Sequence, residues 1–470
     1  MPDLSIPPGH DRPGAPGGAP GRTGPRLVAA LAIAAATVAA AAPLPRSSQA
    51  APPSAPAEAT PSRTPPTAPQ APEPIGAFLR VPLDHEQPSG ATIELYYELG
   101  APFDRRLPTL LVVADGQQFY IRRGAMSDLQ ASLFGPGFNV VGLVGRGLTP
   151  EAVKAALGPE GRPDWEKSWR LFRAEQWIED LETLRATLVG RRSRVLLFGQ
   201  SGGALLVRQY LAVHGDHVRR AVSAAPVEPF LVGGMGLATD RFWEEIGAGG
   251  RELQDAMLSA IARFGSDRVA LAMTLQRQNF FVPRDRLGEE RAHLIRALAA
   301  GETDTYARAR DEYQVAEAKV LLDLPEGIPA RVRMYELFQP SDGLARLAGS
   351  GFHPDLENQR NFAAPLLDLM ARGRIEAPAL DRGAFHRLAT EILVIGGRWD
   401  HTVDYRTVFV QAAGYAHGTL FLADDDHMLG RLKAGGDLAR LSAVFLRDGP
   451  ASEAWREALA RAAPLRFSEP

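Results

Sequence analysis

The sequence predicts an α/β fold in which a mostly parallel central sheet is interrupted by a helical insertion. Three observations lead to this prediction. Short apolar runs typical of buried strands alternate with amphipathic stretches long enough for helices. Between residues 229 and 376 the strand pattern gives way to helical periodicity, and from residue 377 the strand–helix alternation returns. A separate second domain is the alternative explanation for the middle stretch.

The first 75 residues lack the pattern of a folded domain. Residues 1–44 contain basic residues followed by the uncharged run Leu27–Ala42, an order typical of a secretory signal peptide. An uncleaved anchor is the alternative, although a span usually needs about 20 apolar residues. Residues 45–75, rich in Pro and Ala, are predicted to be an extended linker. We therefore expect export to the periplasm, cell surface or medium, with no stable membrane insertion once the signal is removed.

The first part of the predicted core, residues 76–228, opens with a pair of strands. Two β-rich runs, Phe78–Leu83 and Ile93–Leu99, flank Pro88-Ser89-Gly90 and predict an antiparallel hairpin. Four further apolar runs predict buried strands: Thr109–Ala114, Phe138–Val144, Arg194–Phe198 and Val218–Pro226. The stretch Glu175–Val189 predicts one of the connecting helices.

The middle segment, residues 229–376, is predicted to be a helical cap. Apolar residues recur three or four apart in one amphipathic helix, namely Leu253, Met257, Ile261 and Phe264. The second part of the core, residues 377–470, is predicted to contain the strands Glu391–Gly397 and Gly418–Ala423 and a closing helix around LARLSAVFL.

The composition excludes several classes of function. The chain of 470 residues has a formal net charge of −3 and no basic block, so nucleic-acid binding is not expected. It contains no cysteine, which excludes disulfides, cysteine-based zinc sites and a cysteine nucleophile. Sequence patterns of metalloprotease helices, phosphate-binding loops and dinucleotide-binding turns are absent as well. No cofactor or metal is therefore expected.

The segment Gly199-Gln200-Ser201-Gly202-Gly203 lies between a predicted strand and a predicted helix. In this context the pattern G-x-S-x-G predicts a nucleophile elbow, with Ser201 as the nucleophile on a strained turn. Gly203 is expected where the helix packs close to the preceding strand. The alternative is a tight turn that happens to contain a small polar residue.

A serine nucleophile needs a base and a group that orients the base, and two later strands end in such residues. Asp400 follows the strand Glu391–Gly397, and His427 follows the strand Gly418–Ala423. The order Ser201, Asp400, His427 is the order in which α/β-hydrolases carry their catalytic residues. Asp404 is a rival orienting acid.

Backbone amides are expected to stabilise the negative charge that develops on the substrate oxygen. The N–H of Gly202, at the start of the helix, is predicted to be one donor. The N–H of Gln117, in the loop Asp115-Gly116-Gln117-Gln118 after a predicted strand, is predicted to be the other. An ordinary turn is the alternative for that loop.

These residues resemble those of a known family, the proline iminopeptidase and tripeptidyl aminopeptidase branch of α/β-hydrolase serine peptidases. The similarity spans about residues 78–445 and includes the VPLDH..PSG.TIELYYEL entry, the turn Arg146-Gly147, FGQSGGALLVRQYL and GGRWDHTVD. It implies an α/β-hydrolase fold with an inserted helical cap. The chain departs from the family where Asp115-Gly116-Gln117-Gln118-Phe119 replaces an HGGPG-like loop and where Val144-Gly145 replaces an Asp before the Arg-Gly turn.

The resemblance also implies a function. Such peptidases bind the free α-amine of the substrate through acidic cap residues, and Glu336 is a similar acid; a solvated helix residue is the alternative. Gln200, beside the nucleophile, is also expected to contact substrate. We expect an exported aminopeptidase that forms an acyl-enzyme on a peptide or small-molecule substrate. A carboxylesterase of the same fold and a catalytically inactive binding module are the alternatives.

Overall fold

The computed structural model describes residues 75–115, 124–232, 242–338 and 351–467. In these residues eight strands form one sheet. In chain order they are β1 (Ile75–Pro82), β2 (Thr92–Leu99), β3 (Thr109–Val113), β4 (Asn139–Leu143), β5 (Val195–Gln200), β6 (Val218–Ala224), β7 (Glu391–Gly397) and β8 (Gly418–Ala423). Each predicted strand is present, and the bounds of β7 and β8 agree with those expected from the sequence.

The order of the strands identifies the fold. Across the sheet it is β1-β2-β4-β3-β5-β6-β7-β8. The hairpin β1–β2 is antiparallel, β2 also pairs antiparallel with β4, and the remaining strands run parallel to one another. A mostly parallel sheet with an antiparallel β2, and with a strand–turn–helix around a serine at the end of β5, is the α/β-hydrolase fold. The predicted fold class is therefore confirmed.

Helices connect the strands on both faces of the sheet. Those in the first part of the chain are α1 (Ala125–Leu129), α2 (Pro150–Ala155), α3 (Trp165–Phe172), α4 (Ala174–Val189) and α5 (Gly202–His214). Those between β6 and β7 are α6 (Pro229–Val232), α7 (Phe242–Ala248), α8 (Arg251–Phe264), α9 (Arg268–Phe281), α10 (Arg284–Ala300), α11 (Thr303–Glu312), α12 (Val315–Val320), α13 (Ile328–Phe338) and α14 (Pro354–Ala371). Those that follow are α15 (Tyr405–Ala413), α16 (Gly430–Ala434), α17 (Asp437–Asp448) and α18 (Glu453–Ala462).

The sheet has a buried apolar layer on each face. Because side chains alternate along a strand, Leu111 and Val113 of β3 belong to one buried cluster, whereas Leu110 and Val112 belong to the other. The first cluster also includes Val332 of α13, so this helix from the predicted cap segment packs against the core. Helices α7 to α12 form a third buried cluster. The division of the chain at residues 229 and 376 stays a prediction.

The Arg-Gly turn after β4 has a structural explanation. Arg146 is fully buried, and its guanidinium donates to both carboxylate oxygens of Asp180 on α4, each at 2.7 Å. It also donates to the carbonyl oxygen of Leu83, just after β1, at 2.8 Å. A buried arginine needs such partners because desolvation of its charge is costly. The pair holds the hairpin, the turn and α4 together.

Residues 1–74, which include the predicted signal segment with Leu27–Ala42 and the predicted linker except Ile75, lie outside the described residues. Ile75 is the first residue of β1. Within the part of the chain that the structure describes, none of the helices combines the length and apolar character needed to span a bilayer.

Candidate active site

Ser201 lies on a strained turn between β5 and α5. Its backbone has φ 56° and ψ −124°, a conformation that non-glycine residues rarely adopt. Its N–H donates to the carbonyl oxygen of Ala224, at the end of the adjacent strand β6, at 2.9 Å. This hydrogen bond supports the turn, and the geometry matches the predicted elbow.

At each of the three glycines around the serine, another atom already lies where the Cβ of a larger residue would have to be. A Cβ on Gly199 would lie 2.5 Å from the carbonyl oxygen of Gly203, and one on Gly202 would lie 2.0 Å from Oδ2 of Asp115. A Cβ on Gly203 would lie 2.2 Å from the carbonyl oxygen of Val113. The expected close approach of the helix to the preceding strand is present, since Gly199 of β5 lies against the carbonyl oxygen of Gly203. The reason given for Gly203 itself is corrected, because the atom that excludes a Cβ there belongs to the end of β3.

Ser201, His427 and Asp400 form one hydrogen-bonded chain. Oγ of Ser201 lies 2.8 Å from Nε2 of His427, and Nδ1 of His427 lies 2.7 Å from Oδ2 of Asp400. The other oxygen of Asp400 accepts from the backbone N–H groups of Thr402 and Val403, each at 2.8 Å. These bonds fix the rotamer of Asp400, which in turn fixes the ring of His427.

Asp404, the rival acid, has a different environment. Its carboxylate caps the N-terminus of α15 through the N–H of Arg406 at 3.0 Å and pairs with the guanidinium of the same residue. The structure therefore places Asp400, and not Asp404, against His427.

His427 is almost completely buried, with 1% of its surface exposed. Burial lowers the pKa of its imidazole, but the charge of Asp400, the hydrogen bond from Nδ1 and the charges of Asp426 and Asp355 outweigh that effect. The pKa of His427 is therefore raised above its ordinary value. An imidazole that binds a proton readily, and that faces a serine hydroxyl, is suited to act as a base.

Two residues beside His427 were not singled out by sequence reasoning. The rings of His401 and Phe280 pack edge-to-face, with centroids 5.0 Å apart, and each ring also lies against His427. Burial, and then the positive charges of His427 and Arg291, hold the pKa of His401 well below its usual range. A neutral His401 and Phe280 thus form a wall on one side of the imidazole. Phe280 lies on α9, and no local motif pointed to it.

A small cavity adjoins this wall. It has a volume of about 10 Å³, room for about one water-sized group. Its lining residues come from α7, α9, α10, α14 and the loop after β7: Phe242, Glu245, Leu275, Asn279, Arg291, Pro354, Asp355 and His401. The helices between β6 and β7 therefore reach the neighbourhood of Ser201 and His427.

Glu336, the predicted amine ligand, lies in a buried ionic cluster. One carboxylate oxygen accepts from the N–H of Ala174 and the other from Arg333, both at 2.6 Å. Arg333 also binds Asp115. Burial raises the pKa of Glu336 to about 7, against the opposing effect of Arg333. A role as amine ligand stays a prediction, and these contacts do not favour it.

The remaining predicted residues lie at the elbow or outside the described residues. Gly202 is the first residue of α5, so its N–H is one of the helix-terminal amides without an intrahelical partner. Gln200 is buried as the last residue of β5, and its Nε2 has no hydrogen-bond partner among the described residues. Gln117 and the rest of its loop after Asp115 lie outside the described residues. The roles of these three residues stay predictions.

One group of side chains among the described residues has the spacing of metal ligands. It consists of Glu182, His214 and His217. Glu182 already accepts from Arg185 and Tyr210, and His214 pairs with another acid, Glu179. The group lies at the opposite end of α5 from Ser201, so it takes no part in the candidate active site.

Comparison with known proteins adds distant similarities. No family model matches the sequence, and no curated protein matches it. Among solved structures, a bromoperoxidase from Bacillus anthracis is 17% identical with a TM-score of 0.40, covering 79% of this chain and 100% of its own. A homoserine O-acetyltransferase from Staphylococcus aureus is 14% identical with a TM-score of 0.40, covering 78% of this chain and 94% of its own.

A third solved structure, a 2-hydroxy-6-oxo-6-phenylhexa-2,4-dienoate hydrolase from Rhodococcus, is 14% identical with a TM-score of 0.38. The match covers 79% of this chain and 99% of that one. At such identities and TM-scores, the assignment of the fold rests on the strand order. The fold and the site together define a chain of the α/β-hydrolase fold in which Ser201, His427 and Asp400 are joined by hydrogen bonds.

Proposed function

We propose that this protein is a serine hydrolase that acts through an acyl-enzyme. The observation that carries the proposal is the unbroken chain of hydrogen bonds from Oγ of Ser201 through His427 to Asp400. In this proposal His427 takes the proton of Ser201 while Oγ bonds to the carbonyl carbon of the substrate. The same proton then passes to the leaving group as its bond to that carbon breaks. Water, activated by His427, releases the acid and restores the serine.

The alternative of an inactive binding module is less favoured by the geometry. A protein that only binds a ligand does not require the strained backbone of Ser201, with φ 56°, or a buried His427 with a carboxylate partner. We expect a fluorophosphonate probe, which reacts with activated serines, to label the protein with a stoichiometry near one. Absence of labelling in correctly folded protein would favour the binding module.

Within this class we propose an exported aminopeptidase, with a carboxylesterase as the second candidate. Two carboxylates, Glu245 and Asp355, line the cavity beside His401. A buried ammonium group requires an anionic partner. The charge of Asp355 is close enough to His427 to raise the pKa of its imidazole, whereas Glu336 is already paired with Arg333. The esterase remains the second candidate because Arg291 shares the same cavity and binds Glu245.

A pair of substrates that differ only at the amine separates the two candidates. We expect a prolyl or tripeptidyl anilide with a free N-terminus to be hydrolysed with a kcat/KM about 10²-fold or more above that of its N-acetylated form, because acetylation removes the charge that the acidic side chains would bind. A preference for the blocked substrate, or turnover of p-nitrophenyl esters alone, would support the carboxylesterase.

The pH dependence of the reaction should report the pKa of His427. A base must be neutral to accept the serine proton, and the pKa of His427 is raised by Asp400, Asp426 and Asp355. We therefore expect kcat/KM to fall as the pH decreases through an inflection above the ordinary value for histidine, about 6.5. The measurement is kcat/KM for a p-nitrophenyl ester across the pH range.

A variant at Asp426 provides the control for this profile. Asp426→Asn removes one negative charge near His427 but leaves the bonds to Ser201 and Asp400 in place. The inflection should move to lower pH in this variant. An inflection that stays in place, or that lies below the ordinary histidine value in the wild type, would contradict the assignment of His427 as the base.

A further inference from the structure

A buried arginine from the predicted cap segment lies next to the elbow and joins two parts of the core. Arg333 of α13 has no exposed surface. Its Nη2 donates to the carbonyl oxygen of Gly202 at 3.0 Å, and its Nε donates to Oδ1 of Asp115 at 2.9 Å. Gly202 follows the proposed nucleophile, and Asp115 follows β3. One guanidinium therefore links the first turn of α5 to the end of β3.

The two linked segments also touch each other directly. Oδ2 of Asp115 occupies the position that a Cβ on Gly202 would need, at 2.0 Å from it. One residue further on, the carbonyl oxygen of Val113 lies 2.2 Å from the position of a Cβ on Gly203. The carboxylate of Asp115 is thus held between the guanidinium of Arg333 and the backbone of Gly202. A shift of this carboxylate would move the first peptide groups of α5.

The charges of the cluster favour a single arrangement. Arg333 contacts two carboxylates, Asp115 and Glu336, and its Nη1 also approaches the side-chain oxygen of Gln209 at 3.4 Å. Burial raises the pKa of Asp115, and Arg333 opposes that rise. Charged groups removed from water are stable only with their partners in place, so such a cluster resists displacement. A rigid cluster beside Gly202 would keep the N–H of Gly202 pointed at the negative charge that develops on the substrate oxygen.

We propose that Arg333 and Asp115 are a positioning pair for the oxyanion hole, holding the N–H of Gly202 in the orientation that stabilises the substrate oxygen in the transition state. This inference rests on the proposed serine hydrolase function. Neither residue touches the substrate in this proposal; both act through the backbone of Gly202. No local sequence pattern links Arg333 to Asp115, because the two residues lie 218 positions apart in the chain.

The test removes the pair while keeping its volume. The double variant Arg333→Met/Asp115→Asn is made in a Glu336→Gln background and compared with Glu336→Gln alone, so that no carboxylate of the cluster is left buried without Arg333. The charges are then replaced together by neutral groups of similar size, a change that buried ionic clusters often tolerate. The single variant Asp115→Asn is milder, because the amide oxygen can still accept from Arg333. The matched control is Arg146→Met/Asp180→Asn, which removes an equally buried Arg–Asp pair that does not contact the elbow.

Three measurements distinguish positioning from general support of the fold. Active sites are counted by the final stoichiometry of fluorophosphonate labelling, so that kcat refers to folded enzyme only. We expect kcat per active site to fall about 10²–10³-fold in the double variant, as when an oxyanion donor is lost, with KM little changed. The affinity for a boronic acid, which forms a tetrahedral adduct with the serine, should fall in parallel. Asp115→Asn should show a smaller loss of both.

The control should behave differently. Arg146→Met/Asp180→Asn should lower the Tm or the count of active sites but leave kcat per site and boronate affinity unchanged. If the pair at Arg333 behaves like this control, the proposal is overturned. If instead the wild-type protein neither binds the fluorophosphonate nor turns over any substrate, the proposed function itself fails, and the positioning role fails with it.

Discussion

Ser201→Ala is expected to abolish labelling by a fluorophosphonate and to lower kcat about 10⁶-fold on any substrate that the wild-type protein hydrolyses. The hydroxyl is the atom that would bond to the substrate, and it lies 2.8 Å from Nε2 of His427. Water cannot replace it at the same position without losing the covalent intermediate. The residual rate would come from the oxyanion donors and from substrate binding alone.

A control variant and a test of folding show whether a loss of labelling in Ser201→Ala is due to the missing hydroxyl. Ser223→Ala is a matched control, because Ser223 is a buried serine on the neighbouring strand β6 whose hydroxyl has no hydrogen-bond partner in the part of the chain that the structure describes. It should retain both labelling and turnover. Circular dichroism and thermal unfolding should show that Ser201→Ala is folded. Labelling that survives Ser201→Ala would place the nucleophile elsewhere and would remove the basis of the proposed function.

The strands and the order of the candidate catalytic residues could be predicted because they depend on local patterns. Buried parallel strands are continuous apolar runs, and residues at their carboxyl ends meet at one edge of the sheet. This geometry allowed the sequence to predict that Ser201, Asp400 and His427 lie close together, although they come from three separate segments. The choice of Asp400 over Asp404 followed from its position directly after β7.

The surroundings of the triad could not be predicted in the same way. Arg333 and Phe280 come from helices between β6 and β7, and which face of such a helix meets the elbow depends on tertiary packing. Three consecutive acids, Asp424–Asp426, have the composition of a solvated turn, yet Asp425 is buried and accepts from the N–H groups of Asp426 and Leu432. The charge of these acids would favour exposure of their side chains, but hydrogen bonds from backbone N–H groups allow the carboxylate of Asp425 to be buried.

The same reasoning explains why the role of Glu336 could not be judged from the sequence. A glutamate on a helical segment is exposed in most proteins. The resemblance to the peptidase family implied that Glu336 binds the α-amine of the substrate. In the structure its partner is Arg333, one turn earlier on α13. The spacing of three residues was visible in the sequence, but burial of both side chains was not.

Asp400→Asn is expected to lower kcat about 10⁴-fold while leaving the protein folded. The carboxylate accepts a hydrogen bond from Nδ1 of His427, and this leaves Nε2 free to take the proton of Ser201. An asparagine side chain can turn its NH₂ group toward Nδ1, and the imidazole would then carry its proton on Nε2. In that tautomer the ring donates to Ser201 and cannot act as the base.

The matched variant is Asp404→Asn, four positions further on. Asp404 caps α15 and binds Arg406, and asparagine is an equally good helix cap, so both stability and kcat should stay near those of the wild type. The two variants are compared by kcat, by the rate of fluorophosphonate labelling and by thermal unfolding. An equal loss of activity in both would mean that charge near β7, and not the orientation of His427, controls the reaction. A large loss confined to Asp400→Asn is expected because only that carboxylate faces Nδ1, and because its second oxygen is already held by Thr402 and Val403.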